Sequence, residues 1–249
     1  MDLTVAILAR DEQRHIVGCL ASVREVSHEV LLLLDSRSRD KTGELARIAG
    51  ARVVCEPWRG FPAQRNRALQ LATTPWLLFL DADERVSPAL AQELRSLPDD
   101  DPLAGYWIPR QNRFFGQTLR GGGWYPDHQL RILRRSAAHY DEQRLVHEYA
   151  ALDGQAGWLQ GHLIHHNIER LDELWAKQSA YALAEARTLY LSGRQVRWRN
   201  FLGAPVREFL LRYVKLGGWR DGPLGLLLCA TLAWHEVVKF AFLSALWRR

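Results

Sequence analysis

The sequence predicts an α/β protein whose N-terminal half is a parallel sheet covered by helices on both faces, followed by an irregular middle and a helical C-terminal region. Three observations carry this. Over the first hundred residues, short aliphatic runs alternate with segments whose apolar residues recur at helical spacing. From Gly105 to about Ile168 the pattern becomes irregular, with Gly121-Gly122-Gly123 and many aromatics. From Leu171 onward Leu174, Tyr181, Ala184 and Leu189 recur on one helical side.

Taken in order, Leu3–Ala9 reads as a buried strand, and Ile16, Val17, Leu20 and Val23 follow at helical spacing. Glu29–Leu34 is a second aliphatic strand ending in Asp35. Thr42–Ala49 reads as a helix that Gly50 is placed to end. Arg52–Cys55 is a third strand, Pro62–Ala72 a third helix, and Trp76–Leu80 a fourth strand leading straight into Asp81-Ala82-Asp83. Strands this apolar belong to a sheet buried on both faces. Further strands are expected at Gly105–Pro109 and Leu130–Arg134, joined by long loops. The expected organisation is residues 1–104 as one half of the catalytic domain, 105–170 as its other half, and 171–249 as a helical, basic C-terminal region.

Composition excludes several classes. The chain has 249 residues, 47% hydrophobic and 24% charged, which rules out disorder and low complexity. Cys19, Cys55 and Cys229 lie far apart, so neither a disulfide scaffold nor a zinc ribbon is expected, and a reducing compartment fits. The start, Met1-Asp2-Leu3, shows no basic segment followed by an apolar one, so no secretory signal is expected. Net charge is +5, yet Arg197–Arg249 alone holds nine Lys/Arg against three Asp/Glu. A basic, tryptophan-rich end suits an anionic surface, either lipid or nucleic acid.

In an open parallel sheet, ligands bind at the carboxyl ends of the strands. Three acidic groups fall there: Asp11-Glu12, Asp35 and Asp81-Ala82-Asp83. Two carboxylates leaving one strand end suit Mg²⁺ or Mn²⁺, which take oxygen ligands and keep positions open for substrate phosphates. His162, His165 and His166 cluster farther on, without the partners of a zinc centre.

Read together, Leu3–Glu12 (LTVAILARDE), Glu29–Thr42 (EVLLLLDSRSRDKT), Pro62–Leu69 (PAQRNRAL) and Trp76–Glu84 (WLLFLDADE) resemble the successive motifs of family 2 inverting glycosyltransferases. Gly122–Arg135 (GGWYPDHQLRILRR), Val146-His147-Glu148 and Trp219-Arg220-Asp221-Gly222 resemble a narrower branch that includes lipopolysaccharide-core β-glucosyltransferases. The sequence departs from the pattern at Asp11, where Asn is usual, and at Arg37, where Gly is common. The resemblance implies a GT-A (Rossmann-like) mixed sheet with helices on both faces, a nucleoside-diphosphate sugar donor (a UDP-sugar being the commonest), a lipid-linked saccharide acceptor, and Mg²⁺ or Mn²⁺.

Carried over residue by residue, it implies a donor-binding set of Asp11, Glu12, Asp35, Arg65, Asn66, Asp81 and Asp83. Asp35 would contact base or ribose, and Asp81 the ribose or a metal-bound water. Asp83 would bind the cation, with Asp81 beside it and His165 completing the site. Glu148 is the first choice for the base that takes the acceptor proton, and Asp127 the second, with Trp124 and Tyr125 as sugar platforms. Lys177 would reach the diphosphate or lie in solvent.

The segment Leu224–Leu246 is long enough to span a membrane but contains His235, Glu236 and Lys239. These fall within one arc of about 100°, the layout of a helix lying in a membrane interface, with packing on the core as the alternative. The expected location is cytoplasmic, peripheral on the inner face of the cytoplasmic membrane, with no nucleic-acid partner. A nucleotidyltransferase would use the same carboxylates, but Ala9-Arg10-Asp11-Glu12 lacks the Gly-rich loop it would carry. A nucleic-acid-binding protein would space its aromatics with polar residues, whereas here they sit in an aliphatic run.

Overall fold

A computed structural model describes residues 1–98, 100–142 and 150–248. In chain order the elements are β1 (Leu3–Ala9), α1 (Ile16–Ser22), β2 (Glu29–Asp35), α2 (Thr42–Ile48), β3 (Arg52–Glu56), α3 (Phe61–Leu71), β4 (Trp76–Asp81), β5 (Glu84–Val86) and α4 (Pro88–Ser96). They continue with β6 (Gly105–Phe114), β7 (Gln117–Thr118), β8 (Asp127–Arg134), β9 (Ala138–His139), β10 (Ala151–Leu152), β11 (Ala156–Trp158) and β12 (Leu163–Ile168). The helical end comprises α5 (Leu171–Leu191), α6 (Asn200–Phe209), a π-helical turn (Leu210–Lys215) and α7 (Gly222–Trp247). The chain forms two compact units: residues 1–110 with 128–165, and residues 111–127 with 166–249.

The main sheet runs β3-β2-β1-β4-β8-β6-β12-β5. The first four strands are parallel, whereas β8 joins β4 and β5 joins β12 antiparallel, so the sheet is mixed. Alternation along each strand assigns its side chains to two cores. Leu3, Val5 and Ile7 of β1 and Trp76, Leu78 and Leu80 of β4 pack with Ile16 and Leu20 of α1 and Leu90 and Leu94 of α4. Ala6, Leu77 and Phe79 point the other way, onto Ala68 and Leu69 of α3. Burying a leucine or isoleucine this fully is worth about 1.5–3 kcal/mol, so packing on both faces holds the strand ends in place. The register places those ends level: Leu8 pairs with Asp81 on one side, and Ala9 with Leu34, just before Asp35, on the other.

The second unit is helical. One of its cores unites Phe114, Leu119, Ile168, Leu174 and Leu228, and another Ala186, Ala204, Phe240 and Leu243. Its loops are locked by Asp221, which is 4% exposed and accepts from the amides of Arg120 (2.7 Å) and Gly121 (3.0 Å). Gly121 is required there, because a Cβ would lie 2.0 Å from the carbonyl oxygen of Gly217. The GGG and WRDG motifs are thus two sides of one junction.

The helix α7 is long and apolar enough to cross a membrane, with a mean hydropathy of 1.6 over its most apolar window. Its polar arc does not face outward as a surface-lying helix would place it. His235 is buried, its Nδ1 hydrogen-bonded to the Thr231 carbonyl at 2.8 Å and its Nε2 3.4 Å from Ser179 Oγ of α5. Lys239 donates to Glu185 of α5 at 3.0 Å and to Glu236. Polar groups on an apolar helix are satisfied here by a neighbouring helix instead of water.

Candidate active site

The carboxyl ends of β1, β2 and β4 gather the acidic residues in the first unit, and each meets a different environment. Asp11 adopts a left-handed backbone (φ 56°), which Asp and Asn tolerate better than most residues. Its carboxylate accepts from the Arg39 amide at 2.7 Å, a bond that an Asn oxygen would also make. Asp in place of the usual Asn therefore preserves the loop. Asp40 binds the amides of Gln13 and Thr42 (both 2.9 Å), knitting the loop after β1 to the loop after β2.

Asp35 is nearly buried and gripped by Arg37, through its amide (2.9 Å), Nε (3.1 Å) and Nη2 (2.8 Å). That grip holds the Asp35 carboxyl below its ordinary range. The second departure from the family pattern thus has a structural consequence, since Arg37 occupies the carboxylate expected to meet base or ribose.

Asp81 and Asp83 part company. Asp81 accepts from the buried Arg131 of β8 at 2.5 Å, and Arg131 also donates to Glu84 at 2.9 Å. Glu84, fully buried, takes a further bond from Arg110 of β6 (3.1 Å) and accepts from the Asp81 amide at 3.0 Å. Burial works against the charge on Asp81, but Arg131, with Arg65 and Arg110 behind it, holds its pKa at about 2. Burial likewise pushes Glu84 up, against the pull of the two arginines. The four charges of Asp81, Glu84, Arg131 and Arg110 cancel.

Asp83 stands outside that quartet. Its side chain is 30% exposed, and Oδ2 lies 3.2 Å from Nε2 of His165. Burial opposes its ionisation, yet the bond and charge of His165 outweigh it and keep the carboxyl below its ordinary value. His165 reaches this point because alternation on β12 turns it inward between His166 and Ile164. Glu12 is pushed to about 7, first by burial and then by Asp83, Asp40, Asp81 and Asp11. The acidic groups outside the quartet are therefore Asp83, paired with His165, and Glu12, whose ionised form a cation would favour. Among the described residues no three His, Cys, Asp or Glu side chains form a closed cage. Asp83 and His165 fit an open site instead, with two protein ligands and the remaining positions for phosphate and water.

Arg65 of α3 lies 5.4 Å from the ring of Tyr140 and 6.0 Å from that of Phe79, with its charge felt at Asp81. Asn66 serves the backbone: it donates to the Tyr140 carbonyl and accepts from the Tyr140 amide, both at 2.8 Å. Glu148 lies outside the described residues.

Asp127 opens β8 and belongs to the second unit. There it accepts from Asn112 at 3.3 Å; Asn112 also accepts from Asn167 (3.1 Å), and Asn167 accepts from Lys177 (2.7 Å). Lys177 is thus a member of a polar chain ending at Asp127. Trp124 packs on Phe114 with ring centroids 5.9 Å apart, and the Arg212 guanidinium lies 5.5 Å from its ring.

Sequence reasoning missed Glu84, Arg110 and Arg131. One signal was available: Arg131 interrupts the aliphatic run Leu130-Arg131-Ile132-Leu133, and an arginine inside a buried strand requires a carboxylate partner.

The sequence and the fold resemble those of known glycosyltransferases. The profile of glycosyl transferase family 2 matches residues 4–151. The chain is 30% identical to the lipopolysaccharide core biosynthesis glycosyltransferase LpsC of Rhizobium meliloti (strain 1021), covering 98% of this chain and 91% of that one. In fold it is similar to the mannosyltransferase PcManGT from Pyrobaculum calidifontis, solved in complex with GDP-Man and Mn²⁺, with TM-score 0.51 and 14% identity over 99% of this chain and 75% of that one. It is similar also to S. aureus TarS 1-349 in complex with UDP, with TM-score 0.50 and 13% identity over 100% of this chain and 92% of that one.

Proposed function

The chain belongs to glycosyl transferase family 2 and has the GT-A fold, and from that premise we propose that it moves a hexose such as glucose from a nucleoside-diphosphate sugar to a lipid-linked saccharide of the lipopolysaccharide core, with inversion. The observation that carries the donor side is the Asp83–His165 pair, partly open to solvent beside the charge-cancelled group of Asp81, Glu84, Arg131 and Arg110. In this reading Asp83 and His165 hold Mg²⁺ or Mn²⁺ against the donor diphosphate. The cation, when bound, supplies Lewis-acid neutralisation of the charge on the departing nucleoside diphosphate. Arg131 fixes Asp81 at the strand end, where its carboxylate meets the ribose side of the donor. Asp11, Glu12 and Asp35 line the nucleotide side, with Arg65 adding positive charge there and Asn66 pinning Tyr140 beneath it.

Glu148 takes the proton of the acceptor hydroxyl as its oxygen attacks the anomeric carbon, and the bond to the nucleoside diphosphate breaks on the opposite face. Asp127 is the second choice for this role, held by Asn112. Residues 1–104 serve the donor, 105–170 the acceptor, and 171–249 a membrane surface on the cytoplasmic side. The near full-length likeness to LpsC and the basic, apolar C-terminal region support the lipid-linked acceptor and the peripheral location.

Transfer assays with UDP-sugars and lipopolysaccharide core acceptors test the proposal. A β-linked product from an α-linked donor is expected by NMR, and retention of configuration would refute inversion. Glu148→Gln keeps size but accepts no proton, so turnover is expected to fall by about 10²–10⁴ with donor binding intact. If Asp127→Asn has that effect and Glu148→Gln does not, the roles are exchanged.

A further inference from the structure

We propose that the exposed face of α6 and its π-helical continuation is the surface that docks on an anionic phospholipid bilayer. This rests on the membrane reading above, and it moves the contact away from α7, whose polar arc is occupied by α5. Leu202, Val206, Leu210 and Val214 succeed one another at four-residue intervals, with Trp198 one interval earlier. All are open to solvent: Trp198 is 79% exposed, Leu202 65%, Val206 57%, Leu210 52% and Val214 59%. In an α-helix each four-residue step drifts by about 40°, which would carry a long stripe around the cylinder. The turn over Leu210–Lys215 is π-helical, with more residues per turn, and it rotates Val214 back toward the stripe.

The opposite side of the same helix is already used, since Ala204 is buried with Phe240 and Leu243, and Phe201 packs on Phe240. A helix so packed normally shows water a polar face. This one shows aliphatic side chains with Arg207 and Lys215 beside them, and Arg194, Arg197, Arg199 and Arg220 are exposed in the flanking chain. Glu208 is the one carboxylate between Arg194 and Arg220, and it is ion-paired with Arg212. Aliphatic groups to enter the acyl boundary, cations for lipid phosphates and Trp198 at headgroup depth make up the chemistry of an interfacial helix. A second copy of the chain would bring like charges against like, and a nucleic acid would find no aromatic platform between the leucines.

Co-sedimentation of the full chain with vesicles of phosphatidylcholine, with and without phosphatidylglycerol, tests this. The wild type is expected to partition strongly to the anionic vesicles and weakly to the neutral ones. Leu202→Gln/Val206→Gln/Leu210→Gln is expected to lower that partition by about a hundredfold, from the lost apolar burial, with its thermal transition unchanged. A second variant, Leu226→Gln/Leu227→Gln on the exposed side of α7, should bind as wild type. If the α6 variant binds undiminished and the α7 variant is released, the bilayer reading stands and this location is wrong. A wild type indifferent to both vesicle types overturns both. A wild-type dimer that the α6 variant makes monomeric assigns the face to a second copy and overturns the proposal.

Discussion

Two carboxylates two residues apart, Asp81 and Asp83, end in opposite circumstances. Both keep an open side, but Asp81 neutralises a buried arginine whereas Asp83 faces an imidazole. Their substitutions should separate. Asp81→Asn leaves Arg131 with Glu84 alone and is expected to cost about 1–3 kcal/mol, read as a lowered Tm. Asp83→Asn keeps the size of a half-buried side chain and an oxygen that can still bond His165, so the Tm should hold. Equal losses in both variants would show that Asp83 belongs to the folded framework. Glu12 gives a proton-linked test. Its carboxyl is raised from 4.5 to about 7. Between those values the folded chain binds more protons than the unfolded one, so this group's contribution to stability is full below 4.5 and is lost as pH rises through about 7. A cation placed among these carboxylates favours ionised Glu12, so Mn²⁺ binding near pH 6 is expected to release up to about one proton. Calorimetry in buffers of different ionisation enthalpy measures this, and Glu12→Gln should abolish the release.

At the scale of elements, strands were legible where both faces are buried, because β1, β2 and β4 then become near-continuous aliphatic runs. Reading β6 as ending at Pro109 stopped short; the strand continues through Arg110, Gln111, Asn112 and Arg113 to Phe114. Those polar residues hide the strand, since Arg110 and Asn112 face inward only because Glu84 and Asp127 receive them. In α7 the polar arc was visible from spacing, but the helix that fills it, α5, lies more than fifty residues away. The glycine and WRDG motifs were legible as motifs, whereas their junction was not. Asp221→Ala strips the acceptor from two backbone amides and should cost about 2–4 kcal/mol, lowering the Tm. An unchanged transition would mean that the two loops hold without it.

At the scale of the whole molecule, acidic residues concentrate at the strand ends while the last fifth of the chain carries a net positive charge. The acidic cluster of the candidate site was largely readable, because acidic residues directly after apolar strands fall at one sheet edge whatever the rest of the chain does. The quartet around Arg131 was not, because its members come from four separate strands. The central claim is that Asp83, with His165, makes donor binding depend on a divalent cation. Calorimetric titration of a UDP-sugar panel, with and without Mn²⁺, tests it on the wild type and on Asp83→Asn. The account predicts that one sugar nucleotide binds the wild type at least about tenfold more tightly with Mn²⁺ and that Asp83→Asn, with its Tm intact, loses this enhancement. Equal, Mn²⁺-enhanced binding by both proteins would contradict it.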